Sequence, residues 1–174
     1  MKWIVTEVDG KIASIAADYR HFARIAAEVA AMKPEETNSV VSRKISTEQL
    51  LELNKSISWD DLRLFGTAFQ KKVWKTLYDM PRKLLSYTDF AALAENPSGV
   101  RAVAHAVAWN PVAYIIPCHL IVPKEAMDKA KEIRAGAEKT LFKGSDLYLL
   151  DSIDVGEYAY GPDLKRELIK LQLA

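Results

Sequence analysis

The stretch Asn110-Pro-Val-Ala-Tyr-Ile-Ile-Pro-Cys-His-Leu-Ile-Val-Pro123 holds the only cysteine of the 174-residue chain, Cys118, with His119 directly after it. An apolar run, Val112 to Ile116, leads into Pro117-Cys118-His119, and a second run, Leu120 to Val122, follows. Apolar runs bounded by prolines read as buried segments that carry the thiol into a dry, rigid site. The plain alternative is a small core residue, since free cysteine is among the most buried types. Against it stand the two flanking prolines, the adjacent imidazole and the upstream Asn110-Pro111. An unperturbed thiol has a pKa of about 8.5, so a reactive Cys118 needs a proton acceptor, and His119 is the natural one, directly or through water. Neighbours on an extended chain point to opposite faces, so pairing the two requires a turn, which Pro117 helps to set.

The rest of the chain supplies the frame. Its length suits one compact domain or two small ones. It is 49% hydrophobic and 27% charged with a formal net charge of +1, the composition of an ordinary soluble protein. No apolar run reaches membrane-spanning length and no signal-peptide core opens the chain, so no membrane association is expected. One cysteine makes neither an internal disulfide nor a cysteine-rich zinc site, which points to a reducing, intracellular setting and to no metal. Charge is uneven: residues 1–64 carry 9 Lys/Arg against 10 Asp/Glu, and residues 65–123 carry 6 against 3. That basic bias is compatible with phosphate contacts.

Trp3 to Ile15 reads as a β-hairpin turning at Asp9-Gly10. An alanine-rich helix is expected from His21 to Met32, a polar loop from Lys33 to Lys44, and a short helix, Glu48 to Leu53, capped by Ser46 or Thr47. Residues 1–60 are thus a small α+β module without a catalytic constellation. From Phe65 the pattern changes: Phe69, Val73, Trp74 and Leu77 share a helical face. Ser86 caps a helix from Tyr87 to Ala94, and Asn96-Pro97-Ser98 leads into a second from Gly99 to Trp109. Two short helices joined by a tight turn are how a helix-turn-helix looks in sequence. The second is apolar along Val100, Val103, Ala104 and Val107 and carries Arg101 and His105 among small residues that allow close approach to a groove. Residues 61–174 form the second domain, mostly helical. Within it Glu125 to Glu138 is helix-like, Gly144 a break, Leu147 to Leu150 strand-like, and Asp163 to Leu173 the last helix.

Three colinear segments resemble the O6-alkylguanine-DNA alkyltransferases (methylated-DNA–protein cysteine methyltransferases). They are Phe65-Gly-Thr-x-Phe-Gln-x-x-Val-Trp-x-x-Leu77, the helix pair, and Asn110-Pro111 with Ile115-Ile116-Pro117-Cys118-His119 and Ile121. Lys165 and Leu168 fit the family's Lys-x-x-Leu. Leu120 stands where the family has arginine, Gln172 falls on its histidine-orienting glutamate (with Glu167 or Glu157 as other partners), Ala159 stands where some members have serine, and residues 124–157 form an insertion. The resemblance implies a winged-helix-like helix-turn-helix and direct, single-turnover transfer of an alkyl group from O6-alkylguanine, with O4-alkylthymine as a further substrate, to Cys118. The base must first be flipped out of the duplex.

By resemblance Cys118, His119, Asn110, Tyr87 and Gln172 serve catalysis. Arg101 enters the vacated stack, with Tyr87, Ser98, Gly99, Ala102 and His105 also at the DNA. Pro117, Ile121, Tyr158, Ala159 and Tyr160 line the substrate pocket. The implied partner is double-stranded DNA, with no cofactor, a monomeric chain, and a cytoplasmic location, at the nucleoid or in a nucleus. The alternative, favoured by Leu120, Gln172, Ala159 and the insertion, is an alkylated-DNA-binding homologue with weak or no transferase activity. A plain helix-turn-helix regulator would leave the cysteine motif without purpose. A cysteine hydrolase would lack an oxyanion hole.

Overall fold

The computed structural model describes residues 1–18, 20–32, 35, 39–135 and 144–174. These form a mixed α+β fold of two units, one of Met1–Tyr78 with Trp109–Ile116, the other of Asp79–Ala108 with Pro117–Ala174. Among the described residues no helix is long and apolar enough to cross a membrane.

In the first unit β1 (Lys2–Val8) and β2 (Lys11–Ala16) form the expected hairpin, with Asp9 at φ 50° and Gly10 at φ 81°. Both turn positions thus take the left-handed region that this pairing needs. A third strand, β3 (Val40–Ser46), pairs antiparallel with the outer side of β1, giving the order β2-β1-β3. It corrects the loop expected from Lys33 to Lys44, of which residues 33, 34 and 36–38 lie outside the described residues. Five of its seven residues are exposed. An edge strand solvated on both faces has no apolar alternation to betray it. Helix α1 (Arg20–Ala30) turns Ile25 onto Val8 and Ala13, with Val29 and Phe65 packed alongside. Helix α2 (Thr47–Ser56) starts at Ser46, whose hydroxyl accepts from Gln49 N while the Gln49 side chain accepts from Ser46 N.

The same reciprocal device opens α3 (Ala68–Asp79). Gln70 N donates to the Thr67 hydroxyl at 3.1 Å, and Thr67 N donates to Gln70 Oε1 at 3.0 Å. Val73, Trp74 and Leu77 are buried, but Phe69 is 38% exposed, so the expected four-residue apolar face has three members. Residues 109–116 return to this unit. Ile15 N donates to Pro111 O at 2.9 Å and Ala113 N to Ile15 O at 3.0 Å. Within the loop Tyr114 holds φ 70°, a conformation that costs a non-glycine residue about 1–3 kcal/mol and so needs outside restraint. Asn110 supplies it: Val112 N donates to its Oδ1 at 3.0 Å, and its Nδ2 donates to Ile116 O at 2.7 Å.

In the second unit β4 (Leu85–Ser86) pairs parallel with β5 (Ile121–Val122), Leu85 opposite Ile121. Ser86 accepts from Asp89 N at 3.0 Å and starts α4 (Tyr87–Leu93). After a turn comes α5 (Val100–Ala108), whose buried side is Val103, Ala106 and Val107. A Cβ on Gly99 would sit 2.4 Å from the Asn96 side-chain amide, so a larger residue here must displace that side chain. Helix α6 (Lys124–Ala135) buries Ala126 and Ala130, one turn apart. The end of the expected helix, 136–138, lies outside the described residues. Gly144–Asp151 is a 3-10 helix, not the strand-like segment expected of Leu147 to Leu150. An apolar run becomes a strand only where a ladder partner awaits it, and here Leu149 and Leu150 are buried through helical turns. Helix α7 (Pro162–Leu173) closes the chain, its first turn set by Pro162 behind Gly161 at φ 92°.

Candidate active site

Cys118, His119 and Leu120 form a single 3-10 turn entered from Pro117, with Leu120 N donating to Pro117 O at 3.1 Å. The turn takes the imidazole off the strand alternation. All three residues are buried, His119 and Leu120 completely. Leu120 is a core side chain. The turn ends directly in β5, and the β4–β5 register sets Tyr87, the residue after Ser86, next to it.

Tyr87, Tyr158 and Lys165 share the electrostatic surroundings of the sulfur, and Gln172, Lys165 and Arg82 those of the imidazole. Burial, with the Cys118 and Glu157 charges behind it, pushes the Tyr87 phenol up to about 12. Burial also holds the Tyr158 phenol well above its usual range, with Cys118 and Tyr160 adding to the shift. Tyr160 packs edge-on against Tyr158, centroids 5.4 Å apart at 77°. Lys165 from α7 is 1% exposed, its Nζ donating to Glu157 O at 3.3 Å and lying 5.8 Å from the Tyr87 ring centroid. Burial lowers its ammonium to about 8, opposed by Cys118 and Asp154.

His119 is displaced as well. Burial takes it down to about 3; the nearby Gln172 amide opposes the shift, while Lys165 and Arg82 add to it. At neutral pH this imidazole is uncharged and a weak base.

Several expected site residues are therefore gathered in the second unit: Cys118, His119, Tyr87, Tyr158, Tyr160 and Gln172, with Pro117 and Ile121 buried in the same turn-and-strand segment. Ala159 is half-buried between the two tyrosines in sequence. Ser98, Arg101, Ala102 and His105 are exposed at the start and along one side of α5, and Gly99 is half-buried. Asn110 lies in the first unit, where its amide is used within the 110–116 loop. The sequence reading missed the burial of Lys165 and its coupling to the sulfur. Its only signal was the Lys-x-x-Leu spacing on the last helix.

A dry thiol with a cation and two phenols around it defines a protein whose chemistry, if any, is nucleophilic attack by sulfur. Residues 68–140 match the family model of the 6-O-methylguanine DNA methyltransferase DNA binding domain. The chain is 49% identical over 65 residues to a probable methylated-DNA–protein-cysteine methyltransferase of Acanthamoeba polyphaga mimivirus, covering 37% of this chain and 44% of that protein. It is 35% identical over 97 residues to the methylated-DNA–protein-cysteine methyltransferase of Mycobacterium bovis, covering 47% and 59%. The matched stretch is thus less than two thirds of either relative. Two solved structures share the fold: O6-methylguanine methyltransferase of Mycobacterium tuberculosis (TM-score 0.54, 19% identity, 100% of this chain and 96% of that one) and O6-methylguanine-DNA methyltransferase of Pyrococcus kodakaraensis (0.57, 21%, 99% and 92%).

Proposed function

We propose that the chain repairs DNA by moving an alkyl group from O6 of guanine to Cys118, once per molecule. The observation that carries this reading is the buried Cys118 turn surrounded by Tyr87, Tyr158 and Lys165. It offers a sulfur nucleophile, phenols able to hydrogen-bond a leaving base, and a dry site that strengthens each charge. The S–C bond forms as the C–O bond breaks, and guanine leaves with the electron pair and a proton. The thioether has no second group to remove it, so turnover stops there, and no cofactor enters the balance.

In this reading α4 and α5 are the helix-turn-helix of a winged-helix-like domain spanning 61–174, which follows the 1–60 module in sequence. Arg101, Ala102, His105 and Ser98 meet double-stranded DNA, and Arg101 fills the gap left by the flipped base. Phosphate contacts position the protein and the pocket specifies the lesion. The carbonyls of Cys118 and Ile121 read the guanine edge, with Pro117, Ala159 and Tyr160 lining the pocket. Asn110 orders the segment that runs covalently into Pro117. The chain acts as a monomer wherever DNA is, nucleoid or nucleus. Gln172 beside a neutral His119 favours one second reading, a binder of alkylated DNA that transfers poorly.

Mass spectrometry after incubation with O6-methylguanine duplex tests both. The repair reading expects one methyl on the Cys118 peptide of the wild type and none on Cys118→Ala or Cys118→Ser, with DNA binding retained. An unmodified wild-type peptide together with tight lesion binding leaves the second reading standing.

A further inference from the structure

Helix α7 is tied to the end of the 124–157 insertion by its own cations. Arg166 donates from Nε to Leu150 O at 3.1 Å, from Nη2 to Ile153 O at 3.2 Å and from Nη1 to Asp163 Oδ1 at 3.3 Å. One turn on, Lys170 Nζ donates to Asp151 Oδ1 at 2.9 Å. Leu150 is the penultimate residue of the 3-10 helix Gly144–Asp151, and the last carbonyls of a helix have no partner inside it. The guanidinium supplies one, and its planar fork holds two carbonyls where an ammonium is a single point charge. The segment is also packed, with Leu150, Ile153 and Val155 all buried. Residues 150–157 thus make a strap fastened to α7.

The far end of the strap runs into the pocket residues. Gly156 packs close against the ring of Pro123, the residue that follows β5, and Gly156 N donates to Asp154 Oδ1 at 2.9 Å. Glu157 O accepts from Lys165 Nζ at 3.3 Å, and that nitrogen lies 5.8 Å from the centre of the Tyr87 ring. Tyr158 is the next residue, packed edge-on against Tyr160. Its backbone is therefore placed by the strap.

We propose that Arg166 is a positioning residue: by fastening the strap to α7 it fixes the wall that Tyr158 gives the pocket, and so limits the size of alkyl group the pocket accepts. The proposal rests on the alkyl-transfer reading and adds a size limit to it. Arg166 acts through residues 150–158, and the chemistry stays with the sulfur. A wall that cannot yield rejects a larger group by collision, and a wall that can swing aside admits it. Loss of the clamp therefore acts unequally on two sizes of group, whereas loss of folded protein acts on both alike.

The experiment measures single-turnover transfer by full-length wild type, Arg166→Met, Arg166→Lys and Lys170→Met. Two duplex oligonucleotides are used, one carrying O6-methylguanine and one O6-butylguanine. Amplitude counts the folded, active molecules, and the rate constant reports on the site. The ratio of butyl to methyl rate constants should rise roughly tenfold in Arg166→Met, the lower end of what a fixed apolar pocket gains on size. It should rise by a smaller factor in Arg166→Lys, which keeps the charge and loses the fork. Lys170→Met, which leaves both carbonyl bonds in place, should keep the wild-type ratio. A ratio unchanged in Arg166→Met, or one that shifts as far in Lys170→Met, overturns the proposal. If Arg166→Met yields no folded protein, an unchanged ratio in Arg166→Lys overturns it just as well. No transfer of either group by wild type removes the repair reading and this proposal with it. Transfer by wild type with an unshifted ratio in the Arg166 variants removes only the role of Arg166.

Discussion

Asn110 and Lys165 are both buried polar side chains, one in each unit, and they are buried in opposite ways. Asn110 is neutral, and its amide makes two short bonds, 2.7 and 3.0 Å, to backbone groups of its own loop. Its burial removes orphan donors and acceptors, so it stabilises what surrounds it. Lys165 brings a charge into a dry place against one carbonyl at 3.3 Å and a ring face, and its ionisation is displaced as a result. Removing such a charge often leaves a protein as stable or more so. Saturated, neutral burial therefore marks architecture, and displaced ionisation in a cluster marks chemistry.

The sharpest way to break that contrast uses His119. It is neutral when folded down to about pH 3, whereas the unfolded imidazole binds a proton below about 6.5. Its folded pKa is depressed, so stability falls as pH drops from about 6.5 towards 3, by up to about 5 kcal/mol. His119→Gln should abolish that part of the acid sensitivity in urea denaturation at pH 4 against pH 7, and an unaltered slope would contradict the neutral, buried imidazole. Next is Asn110→Ala, which orphans Val112 N and Ile116 O and should lower stability by about 4 kcal/mol at neutral pH. A loss under about 1 kcal/mol would show that the loop holds itself.

Lys165 predicts the same sign as His119 in an alkaline window. Its ammonium is disfavoured by folding below about pH 8, and the folded state sheds the proton before the unfolded one does, so wild-type stability should rise by about 3 kcal/mol between pH 8 and 10. Above about 10 the raised phenols turn the trend downward, because the folded state then keeps protons that the unfolded chain loses. Lys165→Met should lack the rise and match or exceed wild type at pH 7. The smallest effect concerns Arg101, exposed on α5. Arg101→Ala should leave stability unchanged and slow methyl transfer in duplex DNA about tenfold, with little change towards a free alkylguanine, since only the duplex must be unstacked. Equal losses on both substrates would make it structural.

Much of this was legible because local chemistry settled it. Asp9-Gly10 admits few conformations other than a tight turn, Ser46 and Ser86 cap as such residues do, and apolar spacing placed α3 to α5 and α7. The Cys118 turn was readable from its two prolines. What escaped depends on partners distant in sequence. β3 is polar on both faces and exists because β1 has an edge to pair. Leu147 to Leu150 reads as a strand until no ladder is there to receive it. Phe69 obeys the helical period, yet its side of α3 meets solvent. The burial of Lys165 follows from α7 and the strap together, and no local pattern announces a lysine that folding will enclose. Gln172, expected from the sequence to orient the imidazole, lies near His119 and brings an amide with no charge.

Gly156 carries a consequence for how the gene can drift. Its φ is +78°, and a Cβ there would stand 2.7 and 2.8 Å from the Pro123 ring and 3.9 Å from Lys165 Nζ. Every other residue type brings a strained backbone and a collision at once, two penalties that no single compensating change relieves. In a saturation library selected for survival under alkylating stress, position 156 should be purged almost as thoroughly as position 118, though it has no side chain to lend to any reaction.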